Sequence, residues 1–112
     1  MKARMIPRAN LFVAQTTLAS RKEAEDFARF AVEERLAACV QLEGPLQSFY
    51  EWEGKLESAM EWRLVFKCVG DRLPALAKTV HDRHPYDIPE WIVFRAEEVA
   101  EKYLQWAQDG QR

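Results

Sequence analysis

One stretch constrains the fold of this chain more than any other: Gln47 to Val69, which reads as a single two-stranded arm. Phe49-Tyr50-Glu51-Trp52-Glu53 rises, Glu53-Gly54-Lys55 turns, and Leu56 to Val69 returns. A glycine flanked by charged residues, between runs rich in aromatic and β-branched residues, is a hairpin signal. In the returning run Met60, Trp62, Leu64, Phe66 and Cys68 share one parity, and Glu61, Arg63, Val65, Lys67 and Val69 the other. One face is therefore strongly apolar and the other mixed. At about 3.3 Å per residue the return spans roughly 46 Å if unbroken, against a diameter of about 34 Å for a compact domain of this size. The arm must bend or protrude, and a protruding arm bearing Trp52, Met60 and Trp62 needs a cover. Another copy of the same chain is the expected cover.

The rest of the chain supplies a small α+β domain. Asn10 to Thr16 reads as a buried strand. Ser20-Arg21-Lys22-Glu23 has capping-box spacing, and Ala24, Phe27, Ala28, Ala31, Val32 and Leu36 follow at helical intervals. Ala37 to Leu42 reads as a second strand, interrupted at Gly44-Pro45 before the arm. Asp71 is the expected N-cap of a second helix with the stripe Leu73, Leu76, Ala77 and Val80. Pro85 should end it near Arg83 or His84. His84 to Glu90 holds two prolines and should be a stiff loop, followed by a short strand over Trp91 to Phe94 and a helix near Ala100 to Gln108. Residues 1–9 are expected to be a flexible lead-in, and Asp109 to Arg112 a frayed end. Strand, helix, strand, strand, helix, strand is the split βαβ order of a ferredoxin-like fold, with a four-stranded antiparallel sheet covered on one face.

The 112 residues fit a single domain, 1–112. A formal charge of −2, with both signs interspersed, argues against a nucleic-acid surface. No run approaches the roughly 20 apolar residues of a membrane span, and the basic start leads into no secretory apolar region. The expectation is a cytoplasmic protein. Cys39 and Cys68 are too few for a disulfide framework and lack zinc-site spacing. If the hairpin is in register about Gly54, Cys39 falls nearly opposite Cys68.

Four runs resemble the CutA1 divalent-cation tolerance family: Glu34-Arg35-Leu36-Ala37-Ala38-Cys39-Val40, Tyr50-Glu51-Trp52-Glu53-Gly54-Lys55-Leu56-Glu57, His84-Pro85-Tyr86-Asp87-Ile88-Pro89-Glu90, and Tyr103-Leu104-Gln105-Trp106. In this order and spacing they cover nearly the whole chain. The resemblance implies a tight homotrimer, similar in architecture to the PII signalling proteins, whose arms wrap neighbouring subunits. It also implies a role in tolerance to divalent metals, with copper binding. This chain departs from that pattern at three places. Gln15 replaces the cysteine proposed as a copper ligand, Arg83 replaces the first histidine of a pair, and Ala19 replaces a proline. Copper prefers imidazole and soft sulfur, so only His84 of the implied set remains, and any copper or other divalent cation should bind weakly.

His84 is then read either as a metal ligand or as a hydrogen-bonded residue at a helix end. Lys67 is either an ion-paired sheet residue or a pocket cation, which with His84, Tyr86 and Glu90 would hold a small anion. That second reading is a PII-like signalling trimer with its ligand between subunits. Tyr50, Trp52 and Trp62 are expected at the trimer interface. No phosphate cradle, nucleophile–base pairing or metal-protease motif is present, so no catalytic residue is assigned.

Overall fold

The computed structural model describes residues 3–112. The body is a four-stranded antiparallel sheet built from β2 (Leu11–Leu18), β3 (Cys39–Trp52), β4 (Lys55–Val69) and β5 (Ile92–Arg95), in the order β3-β4-β2-β5. Helices α1 (Arg21–Glu33) and α2 (Leu73–Arg83) connect the strands in the expected split βαβ order. α1 begins as its sequence dictates, with the Ser20 hydroxyl accepting from the Glu23 amide at 3.2 Å. α2 starts differently. Asp71 lies in a 3-10 turn over Gly70–Arg72, no side chain caps the helix, and the Asn10 amide reaches Asp71 at 3.4 Å instead. His84 closes α2 in an extended conformation, as Pro85 demands.

Paired residues of an antiparallel sheet share a face, and the pairings Ala14–Phe66, Thr16–Leu64 and Phe12–Cys68 therefore define the helix-covered side. There Leu64, Phe66, Leu76 and Val80 are fully buried, and Phe66 meets the rings of Phe27 and Trp91 at 6.0 and 6.2 Å. The opposite face carries Val13, Gln15, Arg63, Val65 and Lys67, and at its Leu11–Val69 end the C-terminal helix packs on it through Leu104 and Ala107.

The hairpin is one continuous element. Glu53 and Gly54 form a two-residue turn with φ of 50° and 79°, and Trp52 pairs with Lys55. Pairing runs unbroken down to Leu46–Glu61. A bulge at Gly44 and Pro45 then shifts the register, so that Glu43 meets Arg63 and Cys39 meets Lys67. Trp62 fills the bulge so closely that a Cβ on Gly44 would lie 2.5 Å from its Cδ1. The shift moves Cys39 off Cys68: the two free thiols face opposite sides of the sheet, with Cys68 fully buried. With the arm extended, the molecule measures 53 × 26 × 22 Å.

Both chain ends depart from expectation. Within the expected lead-in, Met5–Pro7 (β1) pairs with β6 (Glu98–Ala100), which leads into α3 (Glu101–Gly110), while residues 1–2 lie outside the described residues. Gln111 is not frayed: it is 4% exposed, and its Oε1 accepts from the Val69 amide at 2.7 Å while its Nε2 donates to the Arg35 carbonyl at 3.3 Å. Burial pushes the neighbouring Cys68 thiol up. Among the described residues, no helix is long and apolar enough to cross a membrane.

Candidate functional site

The arm leaves the body where β2 ends and the 84–90 loop turns back, and an open cleft of about 860 Å³ lies in that angle. Thr17 and Ala19 form its floor, the arm contributes Tyr50, Trp52, Glu57 and Glu61, and the loop contributes Tyr86, Asp87 and Glu90. Alternation explains the arm's share. Ser48, Tyr50 and Trp52 pair with Ala59, Glu57 and Lys55, so these side chains stand on the face opposite α1 and α2.

A chain of hydrogen bonds runs from β2 through His84 to the arm. His84 Nδ1 accepts from the Tyr86 amide at 3.1 Å, which leaves the proton on Nε2 to be donated to the Thr17 carbonyl at 2.9 Å. Desolvation lowers the His84 pKa, against the hydrogen bond to Thr17, and favours this neutral ring. Tyr86 packs on His84 at 4.7 Å and donates its hydroxyl to Glu61 Oε2 at 2.8 Å. Burial pushes the Tyr86 phenol up, and the bond to the Glu61 carboxylate pushes it further. Glu90 accepts from the Gln15 amide at 3.1 Å.

The sequence-derived site is thus only partly gathered. His84, Tyr86 and Glu90 do converge on one region. Lys67 does not: it stands opposite Cys39 and Val13, farther along β4, and donates to Gln41 at 2.6 Å. Arg63 is the cation on that stretch of β4, and its guanidinium is committed to Glu43 at 3.2 Å, a bond that raises its pKa. Tyr50 and Trp52 are about half exposed on the arm, but Trp62 packs against the core on the helix side, with an indole N–H that has no partner among the described residues. The residue missed was Glu61. Its position on the mixed face was visible, but its burial depends on where Tyr86 lands.

Copper was the implied ligand, and within one chain the donors do not fit it. Both His84 nitrogens are engaged, the Gln15 amide is turned to Glu90, and Arg83 lies 3.7 Å over the Phe30 ring. His81 spends Nδ1 on the Ala77 carbonyl of its own helix. Among the described residues, no group of three or more His, Cys, Asp or Glu side chains is arranged to hold a metal.

A sequence model of the CutA1 divalent ion tolerance protein family matches residues 12–110. The chain belongs to the CutA1 family. It is 35% identical to the divalent-cation tolerance protein CutA of Thermus thermophilus over 88% of this chain and 95% of that one. It is 40% identical to human protein CutA over 83% of this chain, but only 52% of the human protein. The chain likewise spans about half the length of the mouse and Arabidopsis CutA relatives it matches. In three dimensions it is similar to CutA of Synechococcus elongatus PCC7942, with a TM-score of 0.92, 33% identity, and coverage of 97% and 96% of the two chains. The CutA1 of Thermus thermophilus gives a TM-score of 0.85 at 33% identity, over 91% of this chain and 99% of that one.

Proposed function

We propose that this CutA1-family protein acts in divalent-cation tolerance as a PII-like homotrimer, each arm wrapping neighbouring copies, with divalent metal held only weakly. The observation that carries the reading is the arm itself. On its helix-side face Phe49, Leu56 and Met60 are 69, 79 and 54% exposed, and on the other face Tyr50 and Trp52 are 45 and 47% exposed. A ribbon apolar on both faces cannot be covered by its own sheet, and two neighbours would cover it. The exposed apolar edge strand β5, with Ile92, Val93 and Phe94, adds to the surface awaiting a partner.

The test is sedimentation velocity on the wild type and Trp52→Asp over a range of concentrations. A charge placed in an apolar interface should weaken assembly by about 3 kcal/mol or more. An unchanged association constant would remove the arm tip from the interface. Calorimetric titration with copper(II) and zinc(II) tests the metal half of the proposal. Wild type and His84→Ala should bind alike, and weakly, whereas micromolar copper binding lost in His84→Ala would place the metal on His84. Among the described residues of one chain, the cleft presents carboxylates and no lysine or arginine, so a single chain offers an anion no counter-charge there.

A further inference from the structure

We propose that Trp62 is the positioning residue of the arm: wedged between the Gly44–Pro45 bulge and the last residue of β2, its ring fixes the angle at which the arm leaves the body. Three features coincide at this one residue. Trp62 pairs with Leu18, where β2 ends, so β2, β3 and β4 run together up to Trp62 and only β3 and β4 continue beyond it. On its other flank Gly44 and Pro45 stand against Trp62 alone, between the pairs Glu43–Arg63 and Leu46–Glu61. Along its own face exposure rises from 0% at Leu64 to 54% at Met60, and Trp62 between them is the last ring of β4 packed on the core.

A two-stranded ribbon twists more freely than a wider sheet, and a bulge bends its strand further. With nothing to fill it, such a junction is a hinge. Here contact removes the play. The indole Cδ1 and Cγ lie 2.5 and 3.0 Å from where a Gly44 Cβ would stand, so the glycine backbone rests directly on the ring. A packed contact of this kind resists bending, because a small shift one way overlaps atoms and the other way forfeits attraction. On the body side Arg63 and Glu43 tie β4 to β3 at 3.2 Å, and on the arm side Gln47 donates to Ser58 at 2.8 Å. The ladder is thus braced above and below, and bending is confined to Gly44 and Pro45. Buried indoles ordinarily bond their N–H, yet this one has no partner among the described residues, so shape rather than hydrogen bonding holds the ring. An arm set in advance loses less freedom on docking than a swinging one. That consequence rests on the assembly reading; the locking does not.

The experiment measures the arm's direction within one chain, by pulsed electron-spin distances between nitroxides on Lys55→Cys at the tip and Arg29→Cys on α1. Both positions are exposed. The labelled chain carries Cys39→Ser and is diluted into excess unlabelled chain; Cys68 is fully buried and takes no label. The parent should give one narrow distance distribution. Trp62→Ala should broaden it about twofold or more, and Trp62→Phe, which keeps a ring and drops the N–H, much less. Gly44→Ala puts a methyl into the ring and should shift the mean distance, and adding Trp62→Ala should relieve that shift. Should Trp62→Ala fail to fold, Gly44→Ala and Trp62→Phe still decide the matter. A urea titration of each variant separates lost stability from lost direction. The proposal is overturned if Trp62→Ala, or Gly44→Ala in its place, lowers the urea midpoint but keeps the parent's mean and width. It is overturned equally if neighbouring copies hold the angle unchanged without the ring. A wild type that stays a single chain would sink the assembly reading alone, since the distances are read within one chain in either case.

Discussion

Strand β4 carries one buried polar side chain near its middle, where the arm leaves the body, and meets another at its Val69 end, and the two are treated in opposite ways. At the Val69 end, Gln111 comes in from the C-terminus, accepts from the strand's last amide and donates to the Arg35 carbonyl. At the arm end, Glu61 is nearly as buried but has one oxygen bonded and no counter-ion among the described residues. A satisfied buried amide closes a structure, whereas a half-satisfied buried charge leaves it open to a partner. The body is therefore finished at one end of its central strand and unfinished at the other.

Breaking the finished end should have the largest effect. Gln111→Leu leaves the Val69 amide buried without an acceptor and should cost about 1–3 kcal/mol, read as a lower urea midpoint at fixed protein concentration. An unchanged midpoint would mean that Gln111 merely lies against the sheet. A smaller effect is expected from pH at the loop between the two ends. The His84 pKa is lowered in the folded state, so the unfolded chain binds this proton more readily. The neutral ring's contribution to stability is complete above about pH 6.5 and is lost as the pH falls below it. Wild type should accordingly lose more stability between pH 7.5 and 5.5 than His84→Gln does, and equal losses would remove His84 from the balance. The smallest change is expected at the unfinished end. Glu61→Gln removes a buried charge but keeps the Tyr86 contact, so stability should stay within about 0.5 kcal/mol or rise. A loss as large as that of Gln111→Leu would make Glu61 another structural group and erase the contrast.

Much of the body was legible because its signals are local. The Ser20 cap, the buried Ala24, Phe27 and Ala31 of α1, the period-two alternation of Met60 to Cys68 and the stop at Pro85 each follow from neighbours in sequence, whereas the expected stripe ran too far: Val32 is exposed and Leu36 lies beyond the helix end at Glu33. The arm's protrusion was legible by length alone, and the long axis of 53 Å agrees with it. What escaped depends on register or on distant partners. The Gly44-Pro45 bulge was visible as a composition break, but its one-residue shift, which separates Cys39 from Cys68, is a property of the pairing. Met5–Pro7 is ordered only because Glu98–Ala100 comes alongside, and Gln111 only because α3 carries it to the end of β4. The site was half legible for the same reason. His84, Tyr86 and Glu90 share one loop and arrived together, whereas Lys67 and Glu61 lie on the same face of one strand six residues apart. Nothing local indicates which of the two the loop will meet.

The assembly proposed above predicts that the functional particle contains more than one chain. Light scattering coupled to size exclusion, on the wild type at micromolar concentration, tests that most directly. The expected mass is three times the 13.1 kDa of the single chain. A stable species at the mass of one chain would contradict the account, leaving both faces of the arm bare in solution.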